Sequence, residues 1–196
     1  MPIIDISREL TATAPYAGDP PPRMHALATH EQDGYQLQAV VMSLHAATHA
    51  DAPLHFLPGG SDVAALPLDA FVGACTLLTA PAGALDAAFF LRSAFGAAAP
   101  APHGERLLLR GPGYLLKSAI GYLYTRGVRL VGTDQPSVGR PEDERTAHRA
   151  LLSYGIAVLE NLDLSHAPDG RYRLFAAPLK IAGGEAAPCR ALLLTE

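Results

Sequence analysis

Within eleven residues the chain places four side chains that can hold a metal or move a proton. They are His45, His49, Asp51 and His55, in the run His45-Ala-Ala-Thr-His49-Ala-Asp51-Ala-Pro53-Leu-His55. Neutral imidazole and carboxylate are the usual ligands of zinc and manganese. An imidazole beside such a site, not bound to the metal, can carry a proton during catalysis. Counted from His45 the offsets are 0, 4, 6 and 10, all even. In an extended chain, even offsets put side chains on one face. On a helix, Asp51 would turn away from the two histidines by about a third of a turn, and Pro53 stops a continuous helix. The spacing therefore predicts a strand running into an extended loop, with all four groups on one side. The plainer alternative is a set of surface or internally satisfied histidines in an Ala-rich loop; four groups of one parity argue against it.

A second pair lies downstream. Glu160 closes the apolar run Ile156-Ala-Val-Leu159. A buried, unpaired carboxylate costs several kcal/mol, on the order of three or more, so Glu160 needs a partner: an arginine, a helix end or a metal ion. His148 falls on a helix expected over 142–154 and, taken alone, reads as a surface helix residue. Two other motifs carry no chemistry. Gly111-Pro-Gly113 lacks the spacing of a phosphate loop, and there is no Gly-x-Ser-x-Gly nucleophile elbow. Ser137, after Pro136, reads as a turn residue.

The elements that must position these groups follow from apolar pattern and breakers. Strands are expected at 3–6, 35–44, 72–79, 106–110, 128–132, 156–159, 172–181 and 189–194. Residues 11–22, with Pro15, Gly18 and Pro20-Pro21-Pro22, must be a loop. Helices are expected at 84–94, 114–126 and 142–154, the last two ended by Gly127 and Gly155. The Ala/Pro-rich residues 97–102 read as a surface loop. Strands and helices alternate in the second half, while the first and last portions are strand-rich. That pattern predicts an α/β fold, a mixed domain with a layered sheet core, with residues 1–196 as a single domain.

Composition narrows the classes. The 196 residues are 49% hydrophobic and 17% charged, with a net charge of −4. That is a globular balance with a chain long enough to bury a core. No basic run exists to neutralise phosphates, so no nucleic acid is expected. No apolar stretch approaches the roughly 18 residues needed for a membrane span. The start, Met-Pro-Ile-Ile-Asp-Ile-Ser, lacks the features of a signal peptide, and a cytoplasmic protein is expected. Cys75 and Cys189 sit in apolar stretches and read as free thiols.

At the histidine run the chain resembles the cyclase-like family of metal hydrolases, and in particular its aryl formamidases. The family motif has the form His-x-Gly-Thr-His-x-Asp-x-Pro-x-His. The segments Val131-Gly-Thr-Asp-Gln-Pro-Ser-Val138, Gly155-Ile-Ala-Val-Leu-Glu-Asn-Leu-Asp163 and Ala177-Pro-Leu-Lys-Ile181 are also similar to it. The resemblance implies a sheet core resembling a β-barrel, flanked by helices, and usually a homodimer. It implies two divalent metal ions, zinc or alternatively manganese: His45, His49 and Asp51 would hold one, His148 the other, and Asp51 and Glu160 would bridge both. His55 would be the general acid/base. The implied substrate is a small aryl formamide, and the implied reaction converts N-formylkynurenine to kynurenine and formate, a step of tryptophan breakdown. The chain departs from the motif twice. The motif glycine is Ala47 here. The family's formamidases carry a Trp in the early Pro-rich loop where this chain has Tyr16, which can still stack on an aromatic substrate. Another aryl or cyclic amide, or a lactone, is the alternative substrate. A metal-free binding module is the alternative class, against which the intact ligand set argues.

Overall fold

A computed structural model of the protein describes residues 2–97 and 104–195. Numbered along the chain, the strands are β1 (Ile3–Asp5), β2 (Arg23–Ala28), β3 (Leu37–Val41), β4 (His49–Asp51), β5 (Val72–Thr79), β6 (Gly83–Leu85), β7 (Glu105–Arg110), β8 (Gly113–Leu115), β9 (Val128–Thr133), β10 (Ala157–Glu160), β11 (Gly170–Phe175), β12 (Ala186–Pro188) and β13 (Leu192–Leu194). The helices are α1 (His30–Asp33), α2 (Ala87–Arg92), α3 (Ala94–Ala97), α4 (Lys117–Thr125) and α5 (Glu144–Ser153).

Nine strands form one sheet in the order β1-β13-β11-β5-β7-β9-β10-β4-β12, strongly curled into a half-barrel and flanked by helices. Its centre, β5-β7-β9-β10, is parallel, and the outer strands pair antiparallel. The fold is the mixed α/β class expected.

Alternation explains why the central strands read as unbroken apolar runs. Both faces of the parallel centre are covered, so successive residues bury in opposite directions. Leu107, Leu109, Val131 and Val158 pack with Phe90, Ile120, Leu123 and Leu151 on the helix side. Leu108, Leu130 and Leu159 face the other way, against Ile6, Phe71, Leu174 and Leu193. Gly127 and Gly155 follow α4 and α5 with φ of 72° and 69°, the left-handed conformation that ends a helix most easily with glycine.

Several expected boundaries move. The helix at 84–94 is strand β6 followed by α2, because Asp86 accepts the Phe89 N–H and starts the helix there. The helix at 114–126 gives its first residues to β8, which pairs with β6 in parallel. The strand at 35–44 stops at Val41, and β2, which pairs with it, was not foreseen. The strand at 172–181 ends at Phe175, short of Pro178; that at 189–194 shortens to β13, and β12 just before it falls outside the expected strands. Residues 98–103, most of the expected Ala/Pro-rich loop, lie outside the described residues. Cys75 and Cys189 are free, and burial pushes the Cys189 thiol up to about 12.

Leu108 has no exposed surface and lies where the central strands meet the far core. Leu108→Ala should cost about 3 kcal/mol of stability through lost burial and a residual cavity. Urea unfolding would show this as a lower midpoint at unchanged slope.

Candidate functional site

The site is assembled at the end of the parallel strands, on the helix-facing side of the sheet. In β4, His49 and Asp51 point to one face while Ala50 packs into the opposite core. Antiparallel pairing sets Glu160 of β10 directly across from His49, so the two side chains share a face. α5 lies over that face. Its buried positions are Ala147, His148, Leu151 and Leu152, a stripe at helical spacing in which His148 is the polar member. His148 is therefore buried rather than the surface residue its helix alone suggested.

His45 and His55 arrive differently from the expected extended run. Only His49 and Asp51 are gathered by strand alternation. His45 precedes β4 in a tight turn, and His55 ends a 3-10 turn over Pro53–His55. The turn after His45 depends on Ala47, which has φ +53°. Alanine there keeps the left-handed backbone that glycine adopts freely, at a cost of roughly 1–2 kcal/mol. The Ala47 carbonyl accepts the Nδ1–H of His49 at 2.9 Å.

Distances show how closely the groups meet. Asp51 Oδ1 lies 3.3 Å from His45 Nδ1 and 3.4 Å from His49 Nε2. His148 Nε2 lies 3.3 Å from Asp51 Oδ2 and 2.9 Å from Glu160 Oε1, and His49 Nε2 is 3.6 Å from Glu160 Oε2. Glu160 also accepts the Val138 N–H at 2.8 Å. His45, His49 and Asp51 offer one group of donor atoms within 4.8 Å of one another, and Asp51, His148 and Glu160 offer a second. Asp51 belongs to both.

The hydrogen-bond pattern tests whether a metal suits this cluster. His148 donates Nδ1–H to the Glu144 carbonyl at 2.8 Å, as His49 does to Ala47. Both rings thereby turn Nε2 toward carboxylates. His49 Nε2 and both Asp51 oxygens are buried without a hydrogen-bond partner. Buried polar atoms are rarely left so, and a lone pair facing a carboxylate requires a proton or a cation between them. A His/Asp/Glu set of this kind suits a divalent metal. In the metal-free chain, burial works against charge on His49 and His148, but Asp51 and Glu160 overcome it and raise the two to about 10 and about 11. Burial likewise opposes charge on Asp51, yet the surrounding imidazoles hold it well below its ordinary range.

His55 completes the group without a carboxylate partner among the described residues. Its ring centroid lies 4.3 Å from that of His45 and 6.0 Å from that of His148. Burial, with His45 and His148 nearby, lowers its pKa. Phe56 packs against both His55 and His148. These side chains line a cavity of about 430 Å³ that Tyr16 borders. The Tyr16 hydroxyl donates to Glu144 Oε1 at 2.5 Å, which pushes the phenol up to about 12.

Three neighbours are not among the site residues expected from the sequence. Glu185 Oε1 stands 3.5 Å from His45 Nε2, brought there because β12 pairs with β4. Asn161 borders the cavity with φ +55°, and its carbonyl accepts the Thr48 hydroxyl at 2.6 Å. Glu144 is the third. Only Asn161, beside Glu160, had any local signal.

The chain belongs to the Cyclase family, whose model matches residues 4–140. Within that family it is similar to proteins named kynurenine formamidase. One from Salinibacter ruber is 40% identical, with 98% of this chain and 97% of that protein covered. Another, from Erythrobacter litoralis, is 39% identical over 79% of this chain and 74% of its own length. A solved structure described as a potential metal-dependent hydrolase with cyclase activity superposes with a TM-score of 0.81 at 26% identity, covering 98% of this chain and 96% of that one.

A divalent cation titrated into metal-free protein at pH 7–8 must displace the protons on His49 and His148. Release of about two protons is expected, and affinity should climb as pH rises toward 10. Calorimetric titration in buffers of different ionisation enthalpy reads the count; a buffer-independent heat would mean the two rings are neutral beforehand.

Proposed function

We propose that this chain is a metal-dependent amidohydrolase converting N-formylkynurenine to kynurenine and formate. The observation that carries the reading is 34–40% identity to kynurenine formamidases over most of the chain, joined to a buried His/Asp/Glu cluster at the floor of a cavity.

In this reading His45, His49 and Asp51 would hold one divalent ion, and Asp51, His148 and Glu160 a second. Nitrogen and carboxylate donors suit zinc first and manganese second. Bound there, such ions supply Lewis acidity toward the formyl carbonyl and a nucleophile at neutral pH. The protein's own groups do the rest. His55, neutral near pH 7, holds or returns a proton, and the departing aniline nitrogen is where that proton is needed. Phe56 and Tyr16 offer aromatic surface to the ring of the substrate. Tyr16 in place of the family's Trp also favours a second reading, hydrolysis of another aryl or cyclic amide or a lactone on the same machinery. We read residues 1–196 as one catalytic domain and propose that it acts in the cytoplasm. No helix among the described residues is long and apolar enough to cross a membrane.

We further propose a homodimer. The two-stranded sheet β2–β3 stands apart from the main sheet and exposes Met24, Leu27, Leu37 and Val41. An isolated pair of strands is marginal in water, and a patch of this kind marks an interface. A second copy would cover it.

Purified protein should hydrolyse N-formylkynurenine, lose that activity to a chelator and regain it with zinc or manganese. His55→Ala should lower kcat by roughly 10²–10⁴-fold with metal content unchanged; loss of metal instead would make His55 a ligand. Inactivity of metal-loaded protein on this substrate, with activity on a lactone or cyclic amide, would establish the second reading. Leu27→Asp combined with Val41→Asp should halve the mass in analytical ultracentrifugation, and an unaltered dimer would place the interface elsewhere.

A further inference from the structure

Glu144 has two connections that the proposed reaction does not use. Its backbone carbonyl fixes the His148 ring, and its carboxylate stands on the same face of α5, one turn away. Side chains four apart on a helix are neighbours, and the two residues are about 6 Å apart along the helix axis. There it borders two cavities at once, the one floored by the histidine cluster and an adjoining one of about 410 Å³. The adjoining cavity is walled by prolines such as Pro112 and Pro136 with Tyr114, and by the neutral polar groups of Gln135, Ser137 and Asn161.

Outside the histidine cluster, charge is one-sided here. Among the described residues lining either cavity there is no lysine or arginine, and the acidic groups outside the histidine cluster are Glu144 and Asp19. The Asp19 carboxylate already accepts the Ser43 hydroxyl at 2.8 Å. Tyr16 engages Oε1 of Glu144 and holds the carboxylate in place, while no described residue donates to Oε2. A fixed acceptor with a free oxygen at the border of an apolar cavity is matched by a charged donor, and an anion placed against it would face the Glu144 carboxylate.

We infer that Glu144 is a specificity residue that receives an ammonium group on the tail of the substrate, so that the enzyme selects aryl formamides with a cationic tail over neutral or anionic ones. The inference rests on the aryl formamidase reading. It leaves a carboxylate on the same tail without a cationic side chain of the protein outside the histidine cluster to pair with, so an amine tail should serve as well as an amino-acid tail.

The test uses metal-loaded protein and three ortho-acyl formanilides differing only in the tail: free amine, N-acetylated amine and carboxylic acid. For the wild type, kcat/KM for the amine should exceed that for the neutral tail by about tenfold, the low end for a charged hydrogen bond in a partly open site. The acid should be the poorest. Glu144→Gln should shrink the amine-to-neutral ratio to within about twofold. Raising salt to roughly 0.5 M should erode the ratio in the wild type and not in the variant. Equal rates for all tails in the wild type, or a preference that survives in Glu144→Gln, would overturn the assignment. Calorimetric binding of the corresponding deformylated amines separates this from the reaction itself. The ordering without turnover would sink the formamidase reading alone, and turnover without the ordering would sink the ammonium site alone.

Discussion

Two carboxylates, Asp51 and Glu160, are buried within reach of the same imidazoles, and the structure around them is arranged to supply positive charge. A buried carboxylate without compensation is too costly to keep. Here compensation comes from rings whose other nitrogens are tied to backbone carbonyls. Ala47 holds His49 and Glu144 holds His148, so each Nε2 faces an acid. The same arrangement serves a proton or a divalent cation, and a cation would satisfy the Asp51 oxygens and His49 Nε2 that the protein leaves without partners.

This requirement shapes the elements nearby. β4 is only three residues long, yet it sits between β10 and β12 with all three residues buried. Its register decides which groups meet: a slip of one residue would send His49 and Asp51 into the opposite core and Ala50 into the site. The left-handed turn at Ala47 is the local cost of reversing the chain before that strand. Thr48 ties the turn to Asn161, the residue after Glu160, and so links the two halves of the cluster through one hydroxyl.

Helix α5 joins the cluster to the cavity above it. His148 points down to the acids, while Glu144 reaches the rim and meets Tyr16 from the Pro-rich loop. The loop could have been a simple cover. Its hydroxyl contact with α5 makes it a wall shared by two cavities, one floored by metal-capable groups and one lined by proline, tyrosine and neutral polar groups.

The amino-acid sequence by itself determined the chemistry on offer and the main layers. The parity of His49 and Asp51, the unbroken apolar runs around Leu108, Val131 and Val158, and the glycines after α4 and α5 are local signals, because strand alternation, two-sided burial and helix termination are local physics. His148 could be placed on a helix but not in the interior, since the direction a helix faces is set by what it packs against. The all-extended path from His45 to His55 failed for a related reason: a left-handed alanine and a 3-10 turn are stabilised by contacts with Ser61, Asn161 and β10 that lie outside the run. Glu185 and the Tyr16–Glu144 contact were beyond sequence reasoning altogether, because they join residues more than a hundred positions apart. Tertiary structure decided those meetings by the order in which the strands pair and by the position of α5 on the sheet.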